Sequence, residues 1–149
     1  MPVLLTRATG RERPLTVIMI DFDHFKKVND QYGHDGGDDV LREFAARLRK
    51  NIRGMDVMCR YGGEEFAIVL PDTELANAAA VAERIRDAVS EEPFLLFGGK
   101  HQISMTISIG IASLRLMGGD TVEALFARTD AALYEAKKKG RNRIVLSAA

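Results

Sequence analysis

The sequence predicts an α/β chain, more narrowly an α+β sandwich: one central, mostly antiparallel sheet flanked by helices, of the ferredoxin-like or palm kind. Three observations predict it. Short apolar runs of strand length recur between stretches whose apolar residues follow the helical period. Two of those runs meet at Gly62-Gly63, which reads as a β-hairpin and makes them antiparallel neighbours. A hairpin set between helical segments suits this kind of sheet better than a doubly wound parallel one. With 149 residues, 46% of them hydrophobic, a single domain over 1–149 has enough apolar surface for a core without disulfides.

The elements follow in order. Val17-Ile18-Met19-Ile20 is a continuous apolar run ending at Asp21, the pattern of a central strand covered on both faces that opens onto a polar site. Leu41, Phe44, Ala45, Leu48 and Ile52 form a helical stripe, with Gly54 as its stop. Val57–Tyr61 and Glu64–Leu70 are the two arms of the hairpin, with glycine supplying positive φ at the turn. Pro71-Asp72-Thr73 opens a helix whose stripe is Ala78, Val81, Ala82, Ile85 and Val89. Ile103, Met105, Ile107 and Ile109 alternate with polar residues, which predicts a half-buried strand. Asp120 and Glu123 fit a variant capping box for a last helix carrying Val122, Leu125, Phe126, Thr129, Leu133 and Ala136 and ending at Gly140. Ile144-Val145-Leu146 is a final strand. The expected order is β-α-α-β-β-α-β-α-β, two helical segments preceding the hairpin.

Composition excludes several classes. Basic and acidic side chains number 21 each, so the chain lacks the basic field that a nucleic-acid polymer requires. The lone Cys59 permits no intrachain disulfide and no cysteine zinc site, and reads as a small core residue. No apolar run approaches the 18 residues of a membrane span. Met1–Arg7 has no signal-peptide pattern, so the expected compartment is the cytoplasm. His24, His34 and His101 have no metal-ligand spacing.

The chemistry gathers where strands end. Asp21 closes the first strand and Glu64 opens the strand after the hairpin; on neighbouring strands their carboxylates meet at one sheet edge. Hard oxygen ligands of this kind suit Mg²⁺ or Mn²⁺. The bland reading is that Asp21, Asp23, Glu64 and Glu65 are solvated charges, and spacing alone leaves both readings open. Asp21-x-Asp23 is not a calcium loop, and no P-loop or dinucleotide fingerprint is present. Gly62 and Gly63 lack a Cβ, so their turn can lie against a phosphate; a plain tight hairpin explains the glycines but not the glutamates beside them.

Four segments together carry a resemblance: Asp21-Phe22-Asp23-His24-Phe25-Lys26-Lys27-Val28-Asn29-Asp30, Gly33-His34-Asp35-Gly36-Gly37-Asp38, Gly62-Gly63-Glu64-Glu65-Phe66 and Tyr134-Glu135-Ala136-Lys137-Lys138-Lys139-Gly140-Arg141-Asn142. In this order, over roughly residues 13 to 146, they resemble the GGDEF family of diguanylate cyclases in its GGEEF form, with its palm-type nucleotidyl cyclase fold, and most closely the output domains of response-regulator cyclases. The resemblance implies condensation of two GTP molecules into cyclic di-GMP with release of two pyrophosphates, each 3′-hydroxyl attacking the α-phosphate of the other nucleotide. It implies metal held by Asp21, the backbone carbonyl of Phe22, and Glu64, with Glu65 a further partner, and Glu64 as general base. Asp38 would accept from the guanine donor edge and Asn29 read the opposite side. Without the resemblance Asp38 reads as a helix N-cap and Asn29 as a turn residue. Gly62 and Gly63 would lie against phosphate, and Lys137 and Arg141 would grip the terminal phosphates. The bland alternative for those two is a basic helix end complementing the helix dipole, which suffices for Lys138 and Lys139.

Arg53-Gly54-Met55-Asp56 stands in the register of the family's product-inhibition motif, with Arg84 as a further arginine. The resemblance implies that cyclic di-GMP is an inhibitor as well as the product, and that catalysis needs a homodimer. On this resemblance the family's usual leading helix is expected to be missing or truncated in residues 1–149. Two other readings compete: an idle domain that senses GTP or cyclic di-GMP, and a cyclase acting on a single nucleotide.

Overall fold

The computed structural model describes residues 13–60, 62–115 and 119–147. The expectations placed on Met1–Arg7 and on Tyr61 lie outside them. The elements are β1 (Leu15–Phe22), α1 (Phe25–Asn51), β2 (Val57–Arg60), β3 (Glu65–Pro71), α2 (Leu75–Glu91), β4 (Phe94–Leu96), β5 (His101–Ile103), β6 (Ile107–Ser113), α3 (Val122–Lys138) and β7 (Ile144–Leu146). Five strands form one sheet in the order β2-β3-β1-β6-β7, and β4 and β5 form a separate ribbon. Every neighbour pair in the large sheet is antiparallel except β6 and β7, so the mostly antiparallel sandwich is what the chain adopts.

β1 is central and all eight of its residues are buried, as its uninterrupted apolar run requires. Alternation divides it between two cores. Ile18, Ile20 and Phe22 face α1 and α2, meeting Phe44, Leu48, Ile85 and Val89. The Phe44 ring stands edge-on to both Phe22 and Phe66, with centroids 4.8 and 4.9 Å away. Val17 and Met19 face the other way, with Ala67, Val69, Leu125 and Leu133 under α3. That helix lies directly on the sheet at Gly110, where an added Cβ would stand 2.2 Å from the Leu133 backbone nitrogen and 2.5 Å from the Thr129 carbonyl oxygen.

Several local expectations are corrected. The two helical segments before the hairpin run as one element broken at Gly33 (φ 74°, ψ 178°), a conformation only glycine takes without strain. The chain leaves α1 at Ile52 in extended conformation, so Gly54 is not its stop. α2 begins at Leu75 because β3 continues through Pro71. The expected strand over 103–109 is two: β5 ends at Ile103, and β6 starts at Ile107 and is buried on both faces. The Thr121 hydroxyl, not Asp120, caps α3 by accepting from the Ala124 N–H. Both Asp120 carboxylate oxygens are instead taken by Arg128. Cys59 is half-buried on edge strand β2 rather than in the core.

Candidate active site

Asp21 pairs with Glu65 across β1 and β3, and with Ser108 across β1 and β6. Continuing the alternation of Val17 and Met19, its side chain points to the α3 face. It is only 4% exposed, which removes the reading of a solvated edge charge. The Lys137 ammonium, 116 positions later on α3, forms an ion pair with Asp21 Oδ2. Asp21 Oδ1 is buried with no hydrogen-bond partner, a costly state for a carboxylate oxygen.

Glu64 lies in the turn, one residue before β3, rather than opening the strand. Burial pushes its carboxyl up to about 7, with further contributions from the neighbouring Asp21 carboxylate and from the charge of Glu65; Lys137 opposes them. The turn is pinned by Arg60, whose Nε and Nη2 donate to the Gly63 carbonyl (3.1 and 2.6 Å). Gly63 does not adopt positive φ, and nothing stands within 4 Å of where its Cβ would be. Neither turn geometry nor packing therefore accounts for this glycine. At Gly62 a Cβ would stand 3.2 Å from Glu65 Cβ and Cδ.

These donors fit a divalent cation. Asp21 has an uncompensated oxygen, and burial beside Asp21 favours the protonated form of Glu64. Both are hard oxygen ligands, and the Phe22 carbonyl follows in the same chain segment. Among the described residues no three His, Cys, Asp or Glu side chains converge as a ready cage, so a cation here would draw on backbone and substrate oxygens as well.

Asp23 is also buried, and it is a staple. Its oxygens accept from Thr106 Oγ1 and Ser108 Oγ, both at 2.6 Å, and from the Asn142 N–H at 3.0 Å. It thereby joins the exit of β1, the entry of β6 and the turn after α3. Sequence reasoning left Asp23 among the edge charges; the only local hint was its place directly after a buried strand.

Asn29 and Asp38 lie on the two sides of the α1 break. An added Cβ on Gly37 would meet Asn29 Oδ1 at 2.1 Å, so the Asn29 amide rests against the backbone beside Asp38. Asp38 is exposed and inside the helical element, which excludes the N-cap reading. At the end of α3 the Arg141 N–H returns to the Ala136 carbonyl (3.0 Å). Gly140, Arg141 and Asn142 follow with φ of 123°, 64° and 46°. Lys137 is half-buried and Arg141 exposed, one helical turn apart in sequence.

Arg53, Asp56 and Arg84 line one cavity of about 330 Å³. Arg53 Nη2 donates to Asp56 Oδ1 (2.9 Å), the Pro71 carbonyl (2.9 Å) and Thr73 Oγ1 (2.7 Å). The Arg53 side chain is 49% exposed and that of Asp56 only 1%. The arginine thus presents a free face to the cavity, while the carboxylate is spent on holding it. Arg84 Nη2 donates to the Asn51 carbonyl (3.1 Å).

A family model described as "Diguanylate cyclase, GGDEF domain" matches residues 3–143. The response regulator PleD of Caulobacter vibrioides is 52% identical over 98% of the chain, and Diguanylate cyclase A of Treponema denticola 45% identical over 92%. The chain spans about a third of the length of these relatives, 32% and 36%. Among solved structures, the GGDEF domain of DgcB from Caulobacter crescentus in complex with c-di-GMP superposes with a TM-score of 0.92 at 31% identity, covering 99% of this chain and 85% of that one. The active GGEEF domain of a diguanylate cyclase from Vibrio cholerae gives 0.90 at 37% identity, covering 99% and 91%. The match begins before β1 and runs to the turn after α3, and the chain belongs to the GGDEF domain family.

Proposed function

We propose that this chain joins two GTP molecules into cyclic di-GMP. The observation that carries the reading is the carboxylate pair where β1 ends and the turn before β3 begins: buried Asp21 with an unpartnered oxygen, beside a half-buried Glu64 carboxyl raised to about 7. In each half-reaction a 3′-oxygen bonds to the α-phosphorus of the other nucleotide, the α–β bridging bond breaks, and pyrophosphate leaves with the bonding electrons. The hydroxyl proton passes to Glu64, which cation binding would first leave ionised. A Mg²⁺ or Mn²⁺ held by Asp21, the Phe22 carbonyl and Glu64, with Glu65 as a further ligand, would supply charge neutralisation at the phosphates. Lys137, released from Asp21, and Arg141 take the terminal phosphates. The open space at Gly63 and the absent Cβ at Gly62 let the turn approach them. Asp38 accepts from guanine N1–H and N2–H, while Asn29 hydrogen-bonds the other side of the base. Two chains act together, one GTP each. In the second cavity, Arg53 and Arg84 bind a guanine of cyclic di-GMP as inhibitor; Asp56 orients Arg53 rather than meeting the base first.

The test is product analysis of the protein with GTP and Mg²⁺ by chromatography and mass. Cyclic di-GMP is expected, with Glu64→Gln lowering turnover at least ~10²-fold. A loss within about threefold would remove Glu64 from that role. In the same assay Arg53→Ala is expected to relieve inhibition by added product, and undiminished inhibition would discard the second cavity. Bound nucleotide with no product would make the chain a binding module.

A further inference from the structure

We propose that Arg86 is a positioning residue for the phosphate-gripping turn that follows α3. The inference rests on the reading of Arg141 as a phosphate contact. Arg86 sits on α2, outside both the carboxylate site and the lining of the Arg53 cavity. Its Nη1 donates to Asn142 Oδ1 at 2.9 Å, across 56 positions of sequence. The guanidinium is aimed by its own helix: Glu83 Oε1 accepts from Nε (3.1 Å) and from Nη2, and Asp87 Oδ1 accepts from Nη2 (3.3 Å). Asn142 is thus clamped at both ends, its side chain by α2 and its N–H by the buried Asp23 carboxylate.

The clamp has something to hold. Arg141 and Asn142 are consecutive non-glycine residues with φ of 64° and 46°. Such conformations persist only where the surroundings over-determine them. Asp23 fixes the Asn142 nitrogen, and Arg86 holds the Asn142 side chain, so that the residue is restrained on both sides of its Cα. Without that restraint the turn can relax toward negative φ, and the exposed Arg141 side chain, carried on that turn, is no longer held in one position. An Arg86 serving only as a surface ion pair with Glu83 would contribute little and would not distinguish between ligands.

The readout is binding of two ligands to the whole chain by calorimetry. One is a GTP analogue with a methylene bridge between its α and β phosphates, which cannot release pyrophosphate; the other is GMP, which has no terminal phosphates. Arg86→Ala is expected to weaken the triphosphate about tenfold, the scale of one charge-assisted hydrogen bond, and to leave GMP unchanged. Arg86→Lys should recover part of the loss, and Arg86→Ala should add nothing to Arg141→Ala. If Arg141→Ala weakens the triphosphate but Arg86→Ala does not, or Arg86→Ala weakens both ligands equally, the positioning role is overturned. If Arg141→Ala itself has no effect, the reading of Arg141 fails instead, and the proposal with it. Should Arg86→Ala not fold, Asn142→Ala removes the same hydrogen bond from the other side and is held to the same outcomes.

Discussion

At Glu64 the local electrostatics set a measurable pH dependence. Its carboxyl is raised from 4.5 to about 7, first by burial and then by Asp21. The folded, metal-free protein therefore holds a proton that the unfolded chain releases near 4.5. Glu64 then favours folding most below that value, and its contribution is lost as pH rises through about 7. A divalent cation binding Asp21 and Glu64 must displace that proton. We expect Mg²⁺ titrations at pH 6, run in buffers of different ionisation enthalpy, to report release of about one proton per ion, falling toward zero by about pH 8. No release at pH 6 would mean that the cation does not use Glu64. The types of these residues were legible in the sequence, since strand-end carboxylates beside a Gly-Gly turn have few structural uses. The burial of Asp21 and its pairing with Lys137 were not, because they depend on α3 crossing back over the sheet from 116 positions away. Asp23 was illegible for the same reason: its three donors come from β6, the segment just before it, and the turn after α3.

At the level of elements, strong periodicity was readable and short or irregular pieces were not. β1, α2 and α3 appear where continuous or 3.6-period apolar residues require them. The ribbon of β4 and β5 was missed because three-residue strands carry no period; the Gly98-Gly99 turn, with φ of 69° and 92°, was the available signal. Helix boundaries erred at Gly54, at Pro71, and at Asp120, where Thr121 beside it is the cap. Gly110 is the most consequential residue at this scale, and it looked like any glycine in a strand. It sets the height of α3 above the sheet, and so where Lys137 reaches Asp21. Gly110→Ala should destabilise the fold by about 3 kcal/mol, the upper range for overpacking, because the blocking atoms are backbone. Urea unfolding measures this. A midpoint within error of the parent would show that α3 has another way to rest on β6.

The whole molecule keeps its two candidate sites apart. Glu65 begins β3 at the carboxylate end, and Pro71 ends it where its carbonyl accepts from Arg53. Six strand steps separate them, about 20 Å, so a ligand in the Arg53 cavity would not occupy the proposed GTP position of the same chain. For the proposed reaction each chain would supply one Asp21, one Glu64, one pair of Asn29 and Asp38, and one cationic turn after α3. The product of the proposed reaction has two identical halves and two identical new bonds. On the proposed reaction one chain would provide half of what is used, and a two-fold pair of chains would provide all of it with each GTP facing the other. The consequence is kinetic. When protein is dilute compared with the dimer dissociation constant, the rate should rise with the square of total protein, and specific activity should fall in proportion as the enzyme is diluted. Initial rates measured with saturating GTP over a wide dilution series test this directly. A specific activity that stays constant, together with sedimentation showing only monomer over the same range, would mean that a single chain completes both bonds and that the two-fold arrangement is wrong.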